Sequence, residues 1–146
     1  MKFHVVKLVS ILPIIIAVNA SSNTIHANVK LTYIKPEKAN AQWVRAKQFT
    51  PRYPMKLAMQ GITGCGVFKV TVNESGKTED VKVISSIPKT VIDKPAKKVI
   101  KSWQWKNVTD KTNVPEEKLI RLDFCMGGKT QAEALSRCEK QAKLAC

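Results

Sequence analysis

Apolar and polar residues alternate along two neighbouring stretches in the middle of the chain. In the first stretch Phe68, Val70 and Val72 occupy every second position, and in the second Val81 and Val83 do the same. A period of two is typical of strands that bury one face. The segment "NESGK" between them supplies turn residues. The pattern therefore predicts a β-hairpin over residues 64–86.

A helical period follows the hairpin, in the segment "VIDKPAKKVIKSWQW". Its apolar residues recur three or four positions apart, as on the buried side of an amphipathic helix, and lysines fill the opposite side. Because Pro95 is tolerated only in a first helical turn, we expect the helix to begin near Ile92 or Asp93. The apolar stripe consists of Ile92, Ala96, Val99, Ile100 and Trp103.

Alternation returns in "EKLIRLDFCM", where Ile120, Leu122 and Phe124 share one side of a third strand. A helical crossover normally returns the chain parallel to the strand it left. If the sheet is antiparallel throughout, the third strand must lie beside the first, which gives the order 2-1-3. In that arrangement we expect the outer edge of the third strand to be free.

The amino-terminal region has the features of an exported protein. Lys2 and Lys7 precede the apolar run Leu8 to Val18, and small residues up to Ala20 suit signal-peptidase cleavage. A helix of this length spans about 16 Å, roughly half of a bilayer core of about 30 Å. Residues 1–20 are thus interpreted as a signal peptide, with an uncleaved membrane anchor as the alternative. Residues 21–48 lack a clear period and are interpreted as a linker or irregular lead-in.

The last 20 residues, 127–146, form a separate element after the flexible joint Gly127-Gly128. Thr130 and Glu133 match a capping box, which indicates the start of a helix. Leu135 and the two tail cysteines are expected on the side of this extra helix that packs on the rest of the protein.

The four cysteines follow the predicted signal peptide, and an even number in an exported chain favours two disulfides. After signal removal His26 is the only histidine, so no His-based triad or multi-histidine metal site can form. We therefore expect no enzyme activity, no metal and no cofactor. The cysteines are Cys65, Cys125, Cys138 and Cys146.

The formal charge is +14, and subtracting the two lysines of residues 1–20 leaves +12. Such a positive net charge favours anionic surroundings. Because the lysines are spread along the chain, however, a solvated surface is the preferred interpretation. Trp103 and Trp105 close the predicted helix and are interpreted as packing residues rather than a stacking platform, so no nucleic acid is expected.

Residues 49–126 resemble the TonB carboxy-terminal domain family. The resemblance rests on several modest motifs that follow one another in the family's order. They are the entry Pro51-Arg52-Tyr53-Pro54, Gly64 before an alternating strand, Gly76 in a polar turn, Val81 and Val83 followed by Ser85, the helix start Ile92-Asp93 with Ala96, and the close Trp103-Gln104-Trp105.

The resemblance implies an α+β fold, with a three-stranded antiparallel sheet of order 2-1-3 packed with helices. It also implies a periplasmic protein that takes part in energy-coupled transport. The family couples a proton-driven motor in the inner membrane to outer-membrane receptors for iron chelates and vitamin B12. Its domain captures an extended receptor segment on the free edge of the last strand, by β-augmentation. The implied partners are a receptor segment or another cell-envelope protein, together with inner-membrane motor proteins, and a weak dimer is left open.

The partner contacts implied by the resemblance lie on the third strand and in the entry motif. For Tyr53, a packed core aromatic is an equally weighted alternative. The implied contact residues are Arg52, Tyr53, Pro54, Leu119, Ile120, Arg121, Leu122, Asp123 and Phe124.

Two departures from the family leave the function open between two hypotheses. The chain has no Pro-rich spacer, and residues 21–49 would reach only about 30 Å as a flexible coil. The only histidine near the apolar run, His4, lies outside it. The first hypothesis is a TonB-type transducer or its accessory; the second is an exported binding or structural module that no longer couples energy. A tail helix along the third strand would block the receptor edge and favour the second.

The predicted sheet order also suggests a disulfide pairing. Cys65 begins the first strand and Cys125 ends the third, so we predict that they pair. Cys138 and Cys146 are about 12 Å apart along an intact helix, too far to bond to each other unless the last turns of the helix unwind. The rival connectivity joins each tail cysteine to one strand cysteine.

Overall fold

The computed structural model describes residues 25–47 and 51–146, and the predicted signal peptide lies outside these residues. Three helices are present in them: α1 (Met55–Met59), α2 (Asp93–Lys101) and α3 (Gln131–Gln141). The strands are β1 (Ala27–Lys35), β2 (Trp43–Arg45), β3 (Gly64–Val72), β4 (Thr78–Ile87), β5 (Trp105–Asn107) and β6 (Glu116–Met126).

The main sheet is antiparallel throughout and has the order β1-β6-β3-β4. The three strands predicted from the alternation are β3, β4 and β6, and their predicted relative order is confirmed. The α+β class and the extra carboxy-terminal helix are confirmed as well. The short strands β2 and β5 form a separate two-stranded sheet.

A fourth strand, β1, extends the sheet and corrects two predictions. It pairs with β6 from Ala27 opposite Met126 to Lys35 opposite Leu119. The lead-in expected to be irregular is therefore a strand over much of its described length, and the predicted free edge of the third strand is wrong. The physical reason lies in the sequence "NVKLTYIK", which alternates apolar Val29, Leu31 and Tyr33 with more polar residues.

The hydrophobic core lies on one face of this sheet, here called the front face. Phe68, Val70 and Leu122 project into it with no exposed surface, and Val29 contributes from β1. The helices α1 and α2 cover this face, as the apolar stripe of α2 predicts. The stripe begins beside Asp93, the first residue of α2, so Pro95 falls in the first turn.

The opposite, back face carries α3, which packs against β1 and β6. The predicted cap is present, since the Thr130 hydroxyl accepts a hydrogen bond from the Glu133 amide at 3.2 Å. The predicted buried side of the helix is partly wrong: Leu135 is 45% exposed, and Ala134 is buried beside Cys138 instead.

Two disulfides fasten this tail to the sheet. Cys65 is bonded to Cys146 and Cys125 to Cys138, with Cα separations of 5.8 and 5.3 Å. The predicted Cys65–Cys125 pair is therefore wrong, and the rival connectivity is confirmed. The register explains the outcome, because Cys65 lies opposite Asp123 and is thus offset by two residues from Cys125.

Candidate binding edge

The third predicted strand, β6, was expected to offer its outer edge to a partner. In the structure it is an interior strand, paired with β3 over Gly64 to Val72 and with β1 over Ala27 to Lys35. Main-chain groups on both sides of β6 are therefore engaged within the chain. The edge expected to capture an extended segment is occupied by β1.

The side chains of the predicted contact strand divide between the two faces of the sheet. Ile120, Leu122 and Phe124 are fully buried in the core of the front face. Leu119 is half-buried. These side chains hold the sheet to its helices, and their alternation on β6 is what the sequence predicted.

Arg121 and Asp123, on the back face, connect β6 to the tail. The Asp123 carboxylate is fully buried and pairs with Arg121, whose Nη2 lies 2.8 Å from Oδ1. The same guanidinium donates to the carbonyl oxygens of Leu144 and Gln141, at 2.8 and 3.0 Å. A buried carboxylate requires such a partner, since an unpaired charge would be costly. Two predicted contact residues are thus structural ties to the segment that ends α3.

The entry motif lies on the front face next to the end of β6. The Tyr53 ring makes an edge-to-face contact with Phe124, with 5.6 Å between centroids, and its hydroxyl donates to the Ile62 carbonyl oxygen at 2.6 Å. Burial raises the pKa of Tyr53 to about 12. Pro54 is buried and Arg52 is exposed. Of this motif, Arg52 is therefore the side chain most open to a partner.

The amino-terminal half of β1 is held by α3 as well as by β6. The side-chain amide of Gln131 donates through Nε2 to the Ala27 carbonyl oxygen at 3.2 Å, and Lys30 forms an ion pair with Glu139. Val29 is only 2% exposed in the core. The tail helix therefore packs on the back face of both β1 and β6 and holds β1 in place, while the edge of β6 is occupied by β1.

The carboxy-terminal half of β1 ends in a cluster of aromatic and charged residues that the sequence analysis missed. Lys118 of β6 is buried, forms an ion pair with Glu116, and lies 5.7 and 5.6 Å from the ring centroids of Tyr33 and Trp105. Burial lowers the pKa of Lys118, and Glu116 partly offsets this effect. A cation between two aromatic rings is a favourable arrangement when it is removed from water. Lys118 falls two residues before Ile120 and so shares the buried side of β6, but the sequence gives no sign of its aromatic partners.

The same cluster connects the lead-in to the rest of the domain. The Glu116 carboxylate accepts hydrogen bonds from the backbone amides of Gln42 and Trp43 at 3.0 and 3.1 Å. The Tyr33 hydroxyl accepts one from the Arg45 amide at 3.0 Å. Both ends of β1 are consequently fixed by side-chain interactions.

The outer margins of the main sheet are β1 and β4, because neither pairs with a further strand among the described residues. No helix in residues 25–47 and 51–146 is long and apolar enough to span a bilayer. Within that part of the chain, no group of three His, Cys, Asp or Glu side chains forms a metal-ligand cluster.

Residues 49–125, more than half of the chain, match the family of Gram-negative bacterial TonB protein C-terminal domains, and the chain belongs to that family. Domains of this family are typically periplasmic and interact with other cell-envelope proteins. Both β1 and α3 lie outside the matched residues.

Among solved structures, the chain is similar to the Pseudomonas aeruginosa TonB CTD, determined by solution NMR. The identity is 18% and the TM-score 0.39, over 60% of this chain and 85% of that one. No curated protein matches the chain.

Proposed function

We propose that the chain is a periplasmic protein-interaction module with the TonB fold, which does not offer β6 to a receptor in its resting state. One observation carries the proposal: β6 is paired on both sides, with β1 on the edge that faces outward in a three-stranded sheet. This favours the module without energy coupling over the energy-coupled transducer. A non-enzymatic role fits a chain built around sheet edges.

A receptor segment that used β6 would have to displace β1. A strand tethered to its own sheet acts at an effective concentration of about millimolar or more. An incoming segment would also need to replace the buried side chain of Val29 and the contacts of Tyr33 with Trp105 and Lys118. A free peptide at micromolar concentration is at a disadvantage in this exchange.

The outer edge of β1 offers an alternative place for an extended partner segment. Its main chain is paired on one side only among the described residues, so a partner strand could add to it by β-augmentation. Thr32 is half-buried and Ile34 is 41% exposed, so both side chains are accessible beside this edge. Under this proposal the contacts come from β1 rather than from Leu119 to Phe124.

The transducer hypothesis is retained as a second proposal that requires strand exchange. In it β1 leaves, a segment of an outer-membrane receptor pairs with Leu119 to Phe124, and inner-membrane motor proteins supply the energy for uptake of iron chelates or vitamins. The residues that match the family already provide β3, β4 and β6, whereas β1 lies outside the match. This favours strand exchange, because β1 is an addition to the family's three strands.

A titration of the full-length protein with extended receptor-derived peptides, followed by backbone amide NMR, tests both proposals. Shifts confined to β1 amides, with the β1–β6 pairing intact, support binding at the outer edge. Loss of the pairing between Leu31 and Leu122, with new contacts to β6, supports strand exchange.

Two truncations complete the test: one lacking β1 and one ending at Gly127. Binding that appears only when β1 is removed overturns the outer-edge proposal and favours a blocked transducer. If neither the full-length protein nor the truncated forms bind any receptor peptide, receptor capture by this chain is excluded.

A further inference from the structure

The outer side of α2 is a continuous lysine surface with a fixed orientation. The helix is anchored to the front face by Ile92, Ala96 and Ile100, which have no exposed surface. Since residues three and four apart share a side of a helix, its four lysines all point away from the sheet. We call this set the α2 lysine face; it consists of Lys94, Lys97, Lys98 and Lys101.

The charges of this face are not neutralised by the protein. Among residues 25–47 and 51–146, no carboxylate oxygen lies within ion-pair distance of any of the four lysines. By contrast, Lys30, Lys69 and Lys118 each have a carboxylate partner. The helix itself contains one acid, Asp93, in its first turn.

The surroundings of α2 extend the positive potential beyond the helix. Lys89 is exposed in the turn that leads into α2. Beyond the other end, Lys77 is bridged to Gln104, and Lys106 is exposed on β5. These lysines add positive charge near both ends of the helix.

The shape of the face distinguishes between anionic partners. Nine residues of helix extend over about 14 Å, and the lysines lie on the convex outer side of the helix. A chain-like polyanion is normally held in a groove that follows its backbone. A convex face with flexible lysine stems instead suits a broad, planar array of charges. Val91, 39% exposed just before the helix, adds an apolar side chain next to it.

We propose that the α2 lysine face docks this protein on an anionic phospholipid surface. Long-range attraction supplies most of the binding, and the ammonium groups contact lipid phosphates without insertion of the domain. The surface is distinct from the edges of β1 and β6, so a docked protein keeps its partner edge accessible.

Co-sedimentation of the full-length protein with lipid vesicles tests this proposal. Vesicles containing phosphatidylglycerol are compared with vesicles of phosphatidylcholine alone, and the ratio of the two partition coefficients is the readout. The neutral vesicles account for any binding through the apolar amino-terminal run. Replacing the four lysines by glutamine is expected to lower the ratio at least about tenfold, since each lysine near an anionic surface contributes about fivefold.

A matched control distinguishes the effect of losing the α2 lysine face from the effect of lowering the net charge. The control variant replaces four dispersed, exposed lysines by glutamine and so removes the same charge; they are Lys38, Lys111, Lys129 and Lys143. This variant is expected to retain most of the anionic preference, and circular dichroism checks the fold of both variants. Equal losses in both variants, no preference for anionic vesicles, or binding to dextran sulfate without binding to vesicles would each overturn the proposal.

Discussion

The two faces of the main sheet are held together by different means. On the front face, apolar side chains such as Phe68 and Leu122 are sealed beneath helices, and the buried Lys118 lies at one end of this core beside Tyr33 and Trp105. On the back face, α3 is attached by two disulfides, the Arg121–Asp123 pair and hydrogen bonds. The front face lies mainly within the residues that match the family, whereas α3 follows them.

This difference shows how a fold can be extended without rebuilding its core. Apolar burial is non-directional and requires many residues at once. A back-face helix that buries few large apolar groups can still be fixed by a small number of specific bonds. Leu135, 45% exposed on α3, illustrates how little apolar burial this helix uses.

Removal of a front-face side chain should have the largest effect. Phe68→Ala removes a ring with no exposed surface, and truncations of this kind cost about 3–5 kcal/mol through lost burial and the cavity left behind. Chemical denaturation with the disulfides intact measures the change in the free energy of unfolding. Leu135→Ala is the back-face control and should stay within about 0.5 kcal/mol. A comparable loss in both variants would contradict the distinction between the faces.

Loss of a disulfide should weaken the back face by a smaller amount. Replacing both Cys125 and Cys138 by alanine should cost about 2–4 kcal/mol, because the bond limits the unfolded chain. The pair Cys65 and Cys146 closes a longer loop, with a sequence separation of 81 instead of 13, and should cost more. Denaturation of the two double variants measures the order, and the reverse order would indicate that contacts of α3, rather than loop closure, dominate.

The cap of α3 provides a more local test. Thr130→Ala removes the side-chain acceptor for the Glu133 amide and should cost about 1 kcal/mol. Hydrogen exchange should show the loss in α3 amides, while amides of β3 and β4 keep their protection. Thr130→Ser retains a hydroxyl and is the matched control. Equal deprotection of the front-face strands would show that the two faces unfold as one unit.

An effect confined to high pH concerns the two tyrosines, one on each side of the family boundary. The pKa of Tyr53 is raised to about 12 by burial, and burial also raises the pKa of Tyr33. In Tyr33→Phe, the remaining phenol should ionise near pH 12 in the folded protein, as followed by ultraviolet absorbance. Because the unfolded chain ionises near pH 10, stability should fall as pH rises from about 10 to about 12. A phenol that titrates near pH 10 in the folded protein would contradict its burial.

The elements with strong periodicity could be predicted from the sequence, as could the order of their strands. The alternation of β3, β4 and β6 and the stripe of α2 each specify a buried side directly. The lead-in carries the same signal in Val29, Leu31 and Tyr33, but exposed Ile34 and the following Lys35-Pro36 obscure it. That omission produced the wrong prediction of a free edge.

The back face could be predicted only in part, because its bonds depend on distances between remote segments. The sequence indicated the cap of α3 and the involvement of all four cysteines, but not which pairs would meet. The pairing depends on how α3 folds back after Gly127-Gly128, which no local period encodes. The partner of Lys118 was hidden for the same reason, since Tyr33 and Trp105 come from distant strands. The partner contacts on Leu119 to Phe124 stay a prediction.

The bond between Cys65 and Cys146 determines which part of the chain a pulling force can extend. It closes a covalent ring that contains β3, β4, α2, β5, β6 and α3, whereas β1 lies outside it. The two cysteines are separated by 81 residues in sequence, so the bond prevents about 280 Å of chain, at about 3.5 Å per residue, from being pulled out. A load applied between a point ahead of β1 and Cys146 passes through the disulfide and can therefore lengthen only the segment before Cys65.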